Sequence, residues 1–144
     1  MSLEKSEAYR IPEKSPLQFA KGGFLKRVVV LARLEAGEEA TVMAFLEKIL
    51  ASVALDLHKD TLFAAIRPNE DVTLAALLRD KQPHAVLSFG IAPFELGLQI
   101  ELPEYQPVKF LGAIFLWAPT LATLEPNRTL KTRLWSALKT TFLS

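Results

Sequence analysis

The sequence predicts an α/β protein: a three-layer α/β/α arrangement around a mostly parallel four-stranded sheet in the order 2-1-3-4. Three observations carry this reading. Val28-Val29-Val30-Leu31 is a continuous apolar, largely β-branched run, the mark of a strand covered on both faces. Phe110 to Trp117 is a second apolar run, broken at Ala118-Pro119-Thr120. Around them, stretches with helical spacing alternate with short apolar runs, which implies right-handed β-α-β crossovers. Strand one takes an inner place because edge strands usually carry more polar punctuation than this one does.

Strand one spans Leu25 to Leu34, with Lys26 and Arg27 at its entry and Glu35-Ala36-Gly37-Glu38-Glu39 at its exit. Helix one follows from about Glu38 to Val53. Val42, Phe45, Leu46, Ile49, Leu50 and Val53 recur at i, i+3, i+4, i+7, i+8 and i+11, one face of a helix. Glu38 and Glu39 in its first turn complement the helix dipole. Asp56-Leu57-His58-Lys59-Asp60 links to strand two, Thr61 to Arg67. Pro68-Asn69-Glu70-Asp71 supplies capping oxygens for helix two, about Val72 to Asp80, with Leu74, Leu77 and Leu78 inward. Lys81-Gln82-Pro83 stops it.

Strand three is His84 to Phe89, and Phe94-Glu95-Leu96-Gly97 reads as one helical turn. Leu98 to Leu102 is a short candidate strand, and Pro103 to Pro107 an exposed loop. Strand four runs from Val108 to Trp117. Gly112 within it marks either a bulge or the split between a hairpin arm and a core strand. The closing helix covers about Arg128 to Phe142, with Asn127 as its N-cap. Leu130, Leu134, Leu138 and Phe142 line one face, flanked by Trp135 and Ala137; Trp135 and Leu138 are expected to anchor it to the sheet.

The chain has 144 residues, half of them apolar, enough for one domain with a proper core. A formal net charge of +1 gives no strong pull toward nucleic acid or membrane. The chain has no cysteine, which excludes disulfides and zinc thiolate sites and fits a reducing, cytoplasmic setting. The apolar run from Phe110 to Ala118 is far shorter than the roughly 20 residues of a spanning helix. The N-terminus is charged and lacks a signal-peptide core.

Residues 1–23 read as a flexible N-terminal arm, and residues 24–144 as a single α/β domain. Pro12 and Pro16 forbid a continuous helix in the arm, and Gly22-Gly23 reads as its joint. The arm nonetheless carries Tyr9, Ile11, Leu17 and Phe19, apolar residues suited to anchoring on a partner.

In a parallel sheet, ligands bind outside the carboxyl ends of the strands. The first such exit holds one glycine and three glutamates, which repel phosphate, so a nucleotide cradle does not belong there. His58 lies between Asp56 and Asp60, but without a distant partner motif this is a solvated connector rather than a metal site. Ser88 lacks a nucleophile elbow and a histidine partner, and His84 opens its strand at the remote end. No catalytic residue, metal site or cofactor follows from these residues. Tyr105 is either a partner contact or an ordinary loop aromatic. Lys131 points into the apolar face of the closing helix; it either snorkels past Trp135 to solvent or places a cation at the carboxyl edge.

The segment Phe115-Leu116-Trp117-Ala118-Pro119-Thr120-Leu121, then Glu125-Pro126-Asn127, then Leu130-Lys131 and Leu134-Trp135-Ser136-Ala137-Leu138, resembles the end of the psi subunits of bacterial DNA polymerase III. The matching motif residues are Pro119, Asn127, Lys131, Leu134, Trp135 and Leu138, and the resemblance covers residues 115–138. It implies a fold similar to the uracil-DNA glycosylases and a non-catalytic adaptor. The N-terminal segment would bind a clamp-loader subunit and the body a chi-like subunit. Where glycosylases of that superfamily carry a water-activating motif and a catalytic histidine motif, this chain has Ala32-Arg33-Leu34-Glu35 and Ala118-Pro119-Thr120, which argues against base excision. Two alternatives stay open. One is a degenerate glycosylase-like enzyme or nucleic-acid binder using Arg33, Arg67, Lys131 and Arg133. The other is a homodimeric structural protein using the aromatic surface near Tyr105 and Trp117.

Overall fold

The computed structural model describes Leu17 and residues 20–143. Its five strands are β1 (Val28–Arg33), β2 (Thr61–Ile66), β3 (Ala85–Phe89), β4 (Val108–Phe110) and β5 (Ala113–Ala118). They form one sheet in the order β2-β1-β3-β5-β4. All neighbours are parallel except β4, which pairs antiparallel with β5. The α/β class and the mostly parallel sheet stand as expected, whereas the four-stranded count is corrected. The predicted fourth strand is two strands joined at Leu111-Gly112. Both residues have positive φ, 54° and 82°, the geometry of a two-residue hairpin turn. The core arm β5 takes the place beside β3, and β4 adds an antiparallel edge.

Val28 to Ala32 are all buried, and their side chains divide by parity. Val28, Val30 and Ala32 enter one core with Leu87, Phe89 and Leu116; Val29 and Leu31 enter the other with Val86 and Phe115. The first core is closed by α1 (Glu39–Ala51) and α5 (Arg128–Phe142), with the short helices α2 (Leu57–Asp60) and α4 (Leu121–Leu124) at its ends. The second is covered by α3 (Ala75–Lys81), a 3₁₀ turn at Pro93–Leu96 and irregular chain around Leu98 and Leu102. Leu98 to Leu102 is not a strand. Its two leucines are 5% and 7% exposed and lie on the sheet face instead of pairing at an edge.

The closing helix occupies its predicted span, and Asn127 caps it by accepting a hydrogen bond from the Leu130 amide at 3.0 Å. Of its two expected anchors, Leu138 stands and Trp135 is corrected. Leu134 and Leu138 are fully buried and Ala137 nearly so, while Trp135 is 39% exposed. One residue past Leu134 is about 100° around the helix, which carries the indole out of the buried stripe.

Residues 20–26 lie along the outer edge of β2. Lys21 and Phe63 exchange two backbone hydrogen bonds, at 2.8 and 2.7 Å. A Cβ on Gly22 would sit 1.9 Å from the Thr61 carbonyl oxygen, so glycine is needed here for close approach rather than as a joint. Leu17, Ala20 and Phe24 pack against the second core. Tyr9, Ile11 and Phe19 lie outside the described residues.

Candidate functional site

The β1 exit reaches toward β2's, and the chain crosses from β2 to β3 over β1, so the crevice a ligand would enter lies at the carboxyl ends of β1 and β3. That place is filled. Arg33, the last residue of β1, donates from Nη1 to the carbonyls of Arg67 (2.7 Å) and Glu70 (2.9 Å), and its Nη2 lies 3.8 Å from a Glu95 carboxylate oxygen. Arg67 returns the arrangement, donating to the Leu34 and Glu35 carbonyls, both at 3.2 Å, with Glu39 at 3.5 Å. Gly90 leaves β3 with its amide donating to the Ala118 carbonyl at 2.7 Å. A Cβ on Gly90 would meet the Thr120 methyl at 2.5 Å and the Arg33 Cβ at 3.2 Å.

The glutamates at this edge serve their own turns. Glu38, Glu70 and Glu95 each accept the backbone N–H three residues before, from Glu35, Arg67 and Ala92, at 2.8, 2.8 and 2.9 Å. The buried Ser88 hydroxyl donates to the Ile91 carbonyl at 2.6 Å, and Thr120 caps α4 through the Thr123 amide. The four cations grouped from the sequence thus separate. Arg33 and Arg67 do meet at the carboxyl edge, but they clamp two strand exits together. Lys131 and Arg133 lie on α5 instead, the first 6.0 Å from the Phe45 ring and the second 4.4 Å from the Tyr105 ring. Lys131 therefore snorkels over Phe45 rather than past Trp135.

The loop around His58 is locally occupied too. Asp56 accepts the amides of His58 and Lys59, both at 2.9 Å, and the Lys59 bond foremost holds its carboxyl below the ordinary carboxylate range. Asp60 accepts the Asp56 amide at 2.8 Å, and His58 is exposed with Glu47 3.3 Å from its ring. Among the described residues no group of three His, Asp or Glu side chains gathers to hold a metal ion. No helix among them is long and apolar enough to cross a membrane.

Tyr105 is corrected from an exposed loop aromatic to a core residue. It is 9% exposed, sits at φ 66°, and its ring joins the core under α1 and α5. Its hydroxyl is buried without a hydrogen-bond partner. Burial foremost raises the phenol's pKa, Glu104 adds to this, and Arg133 opposes it. Trp117 is partly buried with its indole N–H donating to the Leu102 carbonyl at 2.6 Å, so the aromatic surface expected near Tyr105 and Trp117 is largely internal.

Besides Trp135, Phe94 faces solvent, and no motif in the sequence marks it. Phe94 is 80% exposed on the 3₁₀ turn, beside a groove of about 510 Å³ lined by Ala92, Pro93, Ile100, Leu102 and Trp117. Its signal is composition: from Gly90 to Val108 the chain carries Glu95, Glu101 and Glu104 and no lysine or arginine. An apolar groove with Glu101 in its lining suits protein contact better than catalysis. The motif residues hold structural places: Pro119 follows β5, Asn127 caps α5, and Leu134 and Leu138 are core, leaving Lys131 and Trp135 at the surface. No protein-family model and no curated protein matches the chain.

Proposed function

We propose that the chain is a non-catalytic adaptor of the kind its C-terminal segment resembles, the psi subunit of the bacterial replicative clamp-loader assembly. The observation that supports this reading is the self-filled carboxyl edge. The crevice where a doubly wound sheet carries out chemistry is occupied by Arg33, Thr120 and the turn-capping glutamates. With Arg33, Arg67, Glu38, Glu70 and Glu95 engaged in holding the fold, the crevice between the β1 and β3 exits is closed, and the open cavity beside it, about 450 Å³ lined by Glu39, Met43, His58, Phe63, Arg67 and Glu70, runs along α1 and the edge of β2. What the body also offers is surface, including the apolar groove beside Phe94.

In this reading the segment before Leu17, with Tyr9 and Ile11 as anchors, contacts a clamp-loader subunit, and the body contacts a chi-like subunit; Leu17 packs on the second core instead. Reconstitution with those purified subunits, followed by size-exclusion chromatography, tests it. The full chain forms a ternary complex. A version lacking residues 1–16 loses the clamp-loader subunit and keeps the other. Failure of the full chain to bind either subunit refutes the reading, and uracil release from single-stranded DNA would replace it with the glycosylase alternative.

A further inference from the structure

The helix α5 differs in charge from the rest of the chain. Arg128, Lys131, Arg133 and Lys139 give it four cations, and it contains no aspartate or glutamate, although the whole chain is nearly neutral. The arginines Arg27, Arg33, Arg67 and Arg79 are each engaged. Arg27 donates to the Lys81 and Gln82 carbonyls at the end of α3, Arg33 and Arg67 clamp the strand exits, and Arg79 lies 3.3 Å from Asp80. Among the described residues, none of the four α5 cations donates a hydrogen bond or joins an ion pair; three of them lie over aromatic rings.

The spacing organises these groups. Arg128, Trp135 and Lys139 recur at i, i+7 and i+11, which places them in one stripe about 16 Å long on the outer face of α5. Lys131 borders that stripe on the side of α1, over Phe45. Trp135 is 39% exposed, and the Lys139 ammonium lies 3.7 Å from its ring centroid. An exposed indole bracketed by unpaired cations combines two elements of single-strand recognition: charge for the phosphates and a ring face for a base.

We infer that the outer face of α5 binds single-stranded nucleic acid, with Arg128, Lys131 and Lys139 on the phosphates and Trp135 stacked on a base. The Lys139 ammonium leaves the indole for an adjacent phosphate as the base takes its place. An acidic peptide would satisfy the cations, but it would leave the ring face unused, and the ring stands in the middle of the stripe. The inference is separate from the adaptor reading, whose surfaces are the N-terminal segment and the groove beside Phe94.

The test is fluorescence anisotropy of a labelled oligo-dT with the full chain, together with the intrinsic tryptophan signal. Binding is expected to weaken with salt along a log–log slope of about −2 to −3, the value for three to four phosphates on a single strand. Tryptophan emission is quenched on binding, and Trp135→Phe removes the quench. R128E/K139E weakens binding at least about tenfold, and the milder R128Q/K139Q weakens it in the same direction if charge reversal perturbs the helix. R79E/K81E, on α3, makes the same change in net charge and leaves affinity within about twofold. The inference is overturned if oligo-dT does not bind at low salt, or if both pairs of reversals weaken it equally. It is also overturned if a duplex of the same length or poly-glutamate binds as tightly.

Discussion

The two faces of the sheet are covered by different kinds of structure. One lies under α1 and α5, helices of 13 and 15 residues that each present a fully buried stripe: Val42, Leu46 and Leu50 from the first, Leu134 and Leu138 from the second. The other lies under α3, a helix of 7 residues with no buried side chain, a single 3₁₀ turn, irregular chain and the residues Leu17, Ala20 and Phe24. A helical stripe repeats at the spacing of the core it meets, and the cavity on that side, about 450 Å³ lined by Met43, Leu57, Phe63 and Ala65, lies at its margin, where Lys21 and Gly22 run along β2. Short, irregular pieces meet at their ends and leave grooves. Three of them lie on the second face: beside Phe94, between Leu78 and Leu111, and between Leu17 and Leu77. Stability is therefore expected to concentrate on the helical face and recognition by other proteins on the irregular one.

The largest expected effect tests that division directly. Leu134→Ala empties a fully buried site under α5 and should cost about 3–4 kcal/mol, whereas Leu77→Ala on the partly exposed α3 should cost about 1 kcal/mol. Urea denaturation of the two variants gives the ratio. Equal losses would show that both faces are packed alike and would remove the basis for placing recognition on one of them.

Next in size is the covering contributed by the start of the described chain. Removing residues 1–16 leaves Leu17, Ala20 and the Lys21–Phe63 backbone pair in place, and the melting temperature should hardly move. Removing residues 1–22 deletes two edge hydrogen bonds and part of the second core's cover, for a loss of about 2 kcal/mol. If the shorter deletion destabilises as much as the longer, the irregular face depends on more of the chain than Leu17 onward.

The same division separates what the sequence disclosed from what it did not. On the helical face, Val42 to Leu50 and Leu130 to Phe142 announce themselves by spacing, and Asn127 marks the start of α5. Trp135 misleads even there, because a large aromatic next to a stripe reads as part of it, whereas its neighbour Leu134 is the buried one. On the irregular face nothing repeats. Leu98 and Leu102 read as a strand because apolar residues at alternate positions suit one, yet their burial comes from contacts across the chain. Gly112 offered a bulge or a hairpin, and the positive φ of Leu111 beside it decides for the hairpin. At the carboxyl edge, the glutamates are visible in the sequence, and Glu38, Glu70 and Glu95 cap turns within their own loops. That Arg33 and Arg67 would satisfy one another's strand exits depends on the pairing of β1 with β2, which no local pattern encodes.

Tyr105 is a loop residue that belongs to the helical face, and it supplies a smaller effect of opposite sign. Its hydroxyl is buried without a partner, so Tyr105→Phe should stabilise by about 1 kcal/mol. The pH dependence follows from burial, which raises the phenol's pKa above its ordinary value of about 10. The folded state thus favours the neutral phenol. The stability this contributes is complete below about pH 10 and is lost as pH rises through the raised folded value. The variant should lack that alkaline loss, and denaturation of both proteins between neutral and alkaline pH would show it. A destabilised Phe variant would mean that the hydroxyl has a partner, such as an ordered water.

The smallest expected change in stability sharpens the comparison most. Phe94 stands 80% exposed on a single 3₁₀ turn whose other apolar residues, Pro93 and Leu96, are buried. Because its ring is largely in water before and after folding, Phe94→Asp should alter stability by no more than about 0.5 kcal/mol. The turn itself is held independently, by Glu95 on the Ala92 amide and by Gly97 at φ 79°. Yet the ring stands beside an apolar groove with three glutamates in the surrounding segment, and a carboxylate there adds a fourth. A partner that buries the ring would lose an aromatic anchor and meet an uncompensated charge, a combination that costs binding far more than folding. The expected result is an unchanged melting temperature with the chi-like subunit released and the clamp-loader subunit retained. A lowered melting temperature would make Phe94 part of the core's cover. Unchanged assembly would move the second partner off this face, to α5 or to the outer edge of β2.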